Sequence, residues 1–328
     1  MTPKTVTMRR VSSNGGRRPT MLAIAGDSAA GKTTLTRGLV AALAGALTSI
    51  CVDDYHRYDR EQRRHGVSCT PLDPAGNYVG IMEQHLQLLA MGEPILKPVY
   101  NHSGGTLDRP VLYEPTDKVV VEGLLPLYSP LARACFDLSV YVDPPEVIRR
   151  KWKVERDTRD RGYTTEQVLA DLDKREPDSA AFIRPQRQWA DIVVRFAPIE
   201  ERGETDEDPL SATILLRPTA PHPDLSALVG EADRGSMHLK LIRDDDGKPV
   251  DALHVHGYAS WESTREIGQA IWLALGVDFE LPASIGMIGL GQRSGPLAIV
   301  QLILLHHLLA RRERQPADLD VVSAGPRS

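Results

Sequence analysis

Residues 26–33 read Gly-Asp-Ser-Ala-Ala-Gly-Lys-Thr, "GDSAAGKT". The pattern is G-x-x-x-x-G-K-[ST], and its meaning depends on its flanks. Before it stands "TMLAIAG", 20–26, a short apolar run that predicts a buried strand. After it stands "KTTLTRGLVAALAGAL", 32–47, with apolar residues at helical spacing. Strand, glycine loop and helix together make a phosphate cradle. Gly26 and Gly31 permit a tight backbone, so successive amide N–H groups of Asp27, Ser28, Ala29 and Ala30 converge on an anion. The helix adds its positive dipole end. Lys32 reaches terminal phosphates, Thr33 offers a hydroxyl to magnesium, and Thr34 closes the motif. A chance glycine turn before Lys-Thr would not need these flanks. The loop therefore implies a nucleoside triphosphate such as ATP, with Mg2+. It does not say what receives a phosphate, or whether one is transferred.

Outward from the loop, strand and helix alternate. Strands are predicted over 48–54, 118–124 and 136–143, and in "DIVVRFAP". Helices are predicted over 79–93, 144–162, within 164–174, and over 177–189. Residues 60–78 read as a long loop. "ILKPVYNHSGGTLDRPVLYEP" reads as short edge strands and turns, because Pro and Gly interrupt it. This alternation argues for a mainly parallel sheet covered on both faces, an α/β fold. The composition changes at the acidic stretch "PIEERGETDEDP", 198–209. Beyond it "MHLKLIRDDDGKPVDALHVHG" reads as a hairpin, followed by helices near 261–274 and 296–312. This last third either extends the first sheet or forms a small attached subdomain. The expected division is a tail over 1–19, a core over 20–198, a C-terminal α/β extension over 199–314, and a tail over 315–328.

Bulk properties exclude several classes. Over 328 residues the chain is 41% hydrophobic and 25% charged, with a net charge of -5. No basic field suggests a nucleic-acid partner. No apolar run approaches the roughly 20 residues that span a bilayer. The basic, polar N-terminus has no apolar segment of a secretory signal. Cys51, Cys69 and Cys135 are odd in number and widely spaced, which fits a reducing cytoplasm better than a disulfide scaffold or structural zinc site.

The charged residues then need places. Glu122 ends "KVVVE", at the sheet edge where ligands of open α/β sheets bind, and can help hold magnesium. "CVDDYHRYDR", 51–60, puts Asp53 and Asp54 at the end of another strand, at the same edge if the sheet is parallel. One of them can take the proton from an attacking hydroxyl. His56, Arg60, Arg63 and Arg64 follow at once. Such cations suit an acceptor that already carries a phosphate. On the helix over 144–162, Lys153, Arg156 and Asp157 share a face, and Arg161 continues it one turn later. That face can close on a transferring phosphoryl group. The bland alternatives are a solvated charged loop and an exposed helix with paired surface charges.

Several stretches in order, "GDSAAGKTT", "CVDDYHRYDR", "KPVYNH", "VVVEGLLPLY", "WKVERDTRDRGYT" and "PDSAAFIRPQRQWAD", resemble the phosphoribulokinase family of the Calvin cycle, within the wider uridine kinase-like group. The resemblance runs from about residue 20 to about 310 and includes "HPDLS" and "RSGPLAIVQLILLHHLL". It implies a P-loop kinase fold with C-terminal antiparallel strands and helices. It implies transfer of the γ-phosphate of ATP to the C1 hydroxyl of ribulose 5-phosphate. It implies Asp53 as the base, His56, Arg60 and Arg161 as sugar-phosphate contacts, and Glu122 near Mg2+. Lys153 and Arg156 are implied to stabilise the transferring group, with Asp157 important for activity. Tyr100 and His102 are implied on the substrate side. One branch of this family carries a cysteine where this chain has Ala30, with its redox partner at Cys51; without the first, that dithiol switch cannot form. The same branch implies a homodimer. Two rivals stay open, a uridine or cytidine kinase and a nucleotide-binding regulatory protein that transfers nothing.

Overall fold

The central strand β1 (Thr20–Gly26) is buried along nearly its whole length. A continuous apolar run of this kind suits a strand covered on both faces. It pairs in parallel with β5 (Lys118–Gly123) on one side and β6 (Leu138–Val142) on the other. β2 (Leu47–Cys51) lies outside β5, and β7 (Ile192–Ala197) outside β6, again in parallel. The structure is a computed structural model that describes residues 18–220, 222, 235–274, 280–289 and 291–310. The expected tails lie almost wholly outside the described residues, as does most of "HPDLS".

Three further strands complete the sheet. β8 (Ser211–Leu216) is antiparallel to β7, β10 (Pro249–Val255) to β8, and β9 (Met237–Arg243) to β10. The order is β2-β5-β1-β6-β7-β8-β10-β9. Of the two arrangements open for the last third, β8, β10 and β9 take the first and continue the same sheet, while Met287–Gly289 and Gln292–Arg293 pair in a small separate ribbon. β3 (Ile95–Asn101) and β4 (Thr106–Tyr113) form a separate antiparallel ribbon.

Helices cover both faces. On one side α1 (Lys32–Ala42) and α8 (Gly295–Ala310) pack together over Leu22, Val140 and Ile214. On the other, Met82, Leu86 and Leu89 of α3 (Val79–Ala90) meet Met21, Val119 and Val121. The short α2 (Arg60–Arg64) and α4 (Pro130–Arg133) lie in connections. α5 (Glu146–Arg161) and α6 (Thr165–Asp178) form a hairpin of helices, and α7 (Trp261–Ala274) packs beside α8. Among the described residues no helix is long and apolar enough to cross a membrane.

Boundaries differ from expectation for local reasons. The first helix stops at Ala42, because the chain turns through Gly45 at φ 83° before β2 begins. The strand predicted to 54 stops at Cys51 and gives way to a single 3-10 turn, Val52–Tyr55. The loop predicted over 60–78 contains α2, started by a capping box between Asp59 and Gln62. The helix predicted over 177–189 is instead a π turn, Ser179–Ile183, and a 3-10 segment, Arg184–Trp189. Pro185 lacks the N–H that a continuing helix needs there.

Candidate active site

β1 delivers the phosphate loop at the C-terminal edge of the sheet. Gly26 has φ 151°, and a Cβ there would lie 2.6 Å from the Val142 carbonyl oxygen. Only glycine fits that position. Ala29 also takes a left-handed conformation, at φ 64°. The Lys32 ammonium donates to the carbonyls of Gly26 and Asp27 at 2.9 and 2.7 Å, so it lies along the loop. Burial lowers its pKa, against the pull of Asp53, Glu122 and Asp27. Asp27 braces the loop from behind. Its carboxylate accepts the Ser28 N–H at 2.6 Å and the Ser179 hydroxyl, and pairs with Arg149 of α5 at 3.6 Å.

Two oxygen donors face each other beside the loop. Glu122 is buried at the end of β5; burial raises its pKa, while Lys32 and the hydroxyls of Thr33 and Thr36 lower it. The Thr36 hydroxyl stands 3.4 Å from its carboxylate. A hydroxyl and a carboxylate at a phosphate loop are the hard donors that Mg2+ takes, together with phosphate oxygens and water. The residues present fit the ion.

The paired aspartates part company. Asp54 accepts the Tyr100 N–H at 2.9 Å and pairs with Lys97, which ties the 3-10 turn to β3. Asp53 Oδ1 is buried and has no hydrogen-bond partner among the described residues. Around it stand cations and aromatic rings. His56 is buried, with Nδ1 2.7 Å from Asn77 Oδ1, and its ring meets Tyr100 edge-on. Arg63 lies over the Tyr100 ring at 5.2 Å and donates to its hydroxyl. Arg60 donates to the His102 carbonyl at 2.7 Å, so α2 is fastened to the ribbon.

α5 brings the remaining charges. Lys153, only 2% exposed, pairs with Asp157 one turn on. The same carboxylate accepts from Arg156 Nε at 2.8 Å and lies 3.4 Å from Arg161. Asp157 is thus the hub on which three cations meet. Burial lowers the pKa of Lys153 to about 8, despite Asp157. Burial acts to raise the Asp157 pKa and is outweighed by Arg156 and Lys153, which hold it low. Arg161 is lowered by burial, then by the like charges of Arg156 and Arg60, and it also feels Asp53. The α5 face and the 53–60 stretch therefore share one electrostatic space.

Reading the sequence missed the braces behind these groups. Asn77, Lys97, Arg149 and Ser179 hold His56, Asp54 and Asp27 in place. Arg149 stands one turn before Lys153 on α5, a spacing that was readable. Asn77 and Ser179 are 21 and 152 residues from their partners, and no local pattern announces them.

A phosphate loop at the edge of a mainly parallel sheet, with a buried acid and a helix of cations opposite, defines the P-loop kinase architecture. The sequence profile of the Phosphoribulokinase / Uridine kinase family matches residues 21–201, and the chain belongs to that family. It is 42% identical over 182 residues to a phosphoribulokinase of Synechocystis sp., covering 55% of this chain and 54% of that protein. It is 35% identical over 205 residues to the chloroplastic phosphoribulokinase of Spinacia oleracea, covering 57% and 51%. The matches thus span about half the length of those curated relatives. A uridine kinase of Lactiplantibacillus plantarum is 30% identical over 190 residues, 56% of this chain and 90% of that protein. A solved phosphoribulokinase from Rhodobacter spheroides superposes with a TM-score of 0.57 at 17% identity, over 79% of this chain and 96% of that one, and shares the fold.

Proposed function

We propose that the protein is a phosphoribulokinase, which phosphorylates the C1 hydroxyl of D-ribulose 5-phosphate with ATP and yields ribulose 1,5-bisphosphate and ADP in the Calvin cycle. The observation that carries this reading is the buried, unpartnered Asp53 Oδ1, whose charge is felt by His56, His102 and Arg161. A buried carboxylate oxygen without a donor is costly, and a substrate hydroxyl would supply the donor. The hydroxyl proton passes to Asp53 as its oxygen bonds to the γ-phosphorus and the bond to the β-phosphate oxygen breaks. Arg60, Arg63, Arg161 and His56 hold the 5-phosphate, with Tyr100 and His102 on the sugar. Lys32, Lys153 and Arg156 face the charge on the moving group. Asp157 aims Lys153 and Arg156. Thr33 and Glu122 would hold Mg2+, which neutralises charge on the β- and γ-phosphates when bound. The kinase core over 20–198, its extension over 199–314, a homodimeric state and a cytoplasmic location belong to the same proposal.

The 42% identity to a phosphoribulokinase supports this acceptor over uridine. Turnover of ATP against ribulose 5-phosphate, uridine and no acceptor tests it. Product formation with ribulose 5-phosphate alone is expected. Phosphorylation of uridine with ribulose 5-phosphate untouched overturns the reading.

A further inference from the structure

Three side chains of different origin meet beside the phosphate loop. Cys51 ends β2, Asp53 lies in the turn that follows, and His102 sits just past β3. The Cys51 Sγ, an Asp53 carboxylate oxygen and a ring nitrogen of His102 all lie within 4.8 Å of one another. Phosphoryl transfer makes no use of the Cys51 sulfur, and a hard Mg2+ ion has no preference for it. We propose that Cys51, Asp53 and His102 form a site for a thiophilic divalent cation of the Zn2+ class, distinct from the Thr33–Glu122 pair, and that filling it shuts the acceptor site.

The donor set carries the argument. One thiolate, one imidazole and one carboxylate are the mixed soft and borderline ligands that zinc takes, and three protein ligands leave a fourth position open. Metal–ligand bonds of about 2.0–2.3 Å place tetrahedral donors roughly 3.3–3.8 Å apart. The three atoms need to close by about an ångström. Cys51 is held at the end of β2 and Asp53 in the short turn after it, while His102 is exposed, its ring edge-on to Tyr100. Asp53 already has a buried oxygen without a partner. Glu122 and Asp53 make the field at Cys51 negative, which favours an arriving cation. Lys32 opposes it, but its ammonium is anchored on the Gly26 and Asp27 carbonyls. Partial desolvation of the ring lowers the His102 pKa, against the pull of Asp53. On binding, the Cys51 S–H bond breaks, its proton passes to solvent, and a metal–sulfur bond forms with no change of oxidation state.

Co2+ titrated into the whole protein without nucleotide tests the site directly. A thiolate-to-cobalt charge-transfer band in the near ultraviolet is expected, removed by adding Zn2+. Cys51→Ser should abolish it, and His102→Ala should weaken binding by about tenfold or more. The Cys69→Ser/Cys135→Ser double variant should keep it. No band in the wild type, or a band that survives Cys51→Ser, overturns the site. The claim of shutting rests on the acceptor reading above. Under turnover, Zn2+ should inhibit the wild type at about tenfold lower concentration than Cys51→Ser, with equal rates before Zn2+ is added. Equal sensitivity overturns the shutting claim. A cobalt band in a protein that leaves ribulose 5-phosphate untouched keeps the site and removes the acceptor reading.

Discussion

The backbone N–H of Tyr100 donates to Asp54 Oδ1 at 2.9 Å, joining the turn after β2 to the β3–β4 ribbon. With Lys97 on its other oxygen, Asp54 is occupied. Its neighbour Asp53 keeps an oxygen free. The two acids are equivalent in the sequence and have different work in the fold.

Their variants should therefore differ in kind. Asp53→Asn keeps the shape but loses the proton acceptor. It should lower kcat by about 10²–10⁴ and leave ATP affinity unchanged. Asp54→Asn leaves the Lys97 ammonium half-buried without its charge partner. It should lower Tm and raise KM for the sugar phosphate, with a smaller effect on kcat. Steady-state kinetics and thermal melts on both variants separate the roles. A near-normal kcat in Asp53→Asn would remove it as the base.

Arg161 is repelled by Arg156 on its own helix and by Arg60 at the start of α2. A phosphate dianion relieves that repulsion. Inorganic phosphate should accordingly raise the Tm of the wild type more than that of Arg161→Ala. The same variant should raise KM for ribulose 5-phosphate by about 10- to 100-fold, the worth of a hydrogen bond to a charged group, with kcat little changed. An unchanged KM would place the sugar phosphate elsewhere.

Lys153 gives the rate an alkaline limit. Burial has lowered its pKa to about 8, so its charge is complete below that pH and is lost above it. Loss of the ammonium removes a cation from the transferring phosphoryl group. kcat/KM, which reports the free enzyme, should fall as the pH rises through about 8, whereas a lysine at its ordinary value would hold to above 10. Lys153→Arg keeps the charge at all accessible pH and should shift or abolish this limb. A profile of kcat/KM against pH for both proteins is the check. An identical limb in Lys153→Arg would assign it to another group.

The central strands β1, β5 and β6 were legible because each is a short apolar run buried on both faces. The phosphate loop was legible because its chemistry is local, with glycines, lysine and threonine inside eight residues. The acceptor acids were placed at the correct edge, but the sequence could not divide Asp53 from Asp54. That division comes from Lys97 and Tyr100, over forty residues away. The α5 face was legible from helical spacing, yet Asp157 as the meeting point of three cations needed the rotamers. The helix predicted over 177–189 gave way to π and 3-10 turns, where Pro185 removes an N–H. The fate of the last third depended on strand pairing with β7, which no local pattern encodes.

That last third is fastened to the phosphate loop's own helix. Gln301 of α8 is fully buried; its amide donates to the Leu35 carbonyl at 3.3 Å and accepts the Gly286 N–H at 2.8 Å. The contact is possible because residue 38 is glycine. A Cβ there would lie 2.0 Å from Gln301 Nε2. Gly38→Ala improves helix propensity and would stabilise an isolated α1, but here it should push α8 away. The expected cost is about 1–3 kcal/mol, read as a lower Tm. Gly38→Ala with Gln301→Ala should recover part of the loss to overpacking. A Tm unchanged in Gly38→Ala would mean that α8 does not press on α1.

Cys51, Cys69 and Cys135 are all free thiols. Burial, then the negative charges of Asp53 and Glu122, push the Cys51 thiol well above its ordinary value. At neutral pH it is protonated, and the thiolate, not the thiol, attacks disulfides. Ala30, whose methyl is buried in the phosphate loop, offers it no sulfur. Activity should therefore be equal after incubation with oxidised or reduced dithiothreitol, in wild type and in Cys51→Ser alike. Metal-free buffer with chelator keeps this apart from any cation bound at the same thiol. A reversible loss on oxidation in the wild type, absent in Cys51→Ser, would show that Cys51 finds a disulfide partner and would overturn the prediction.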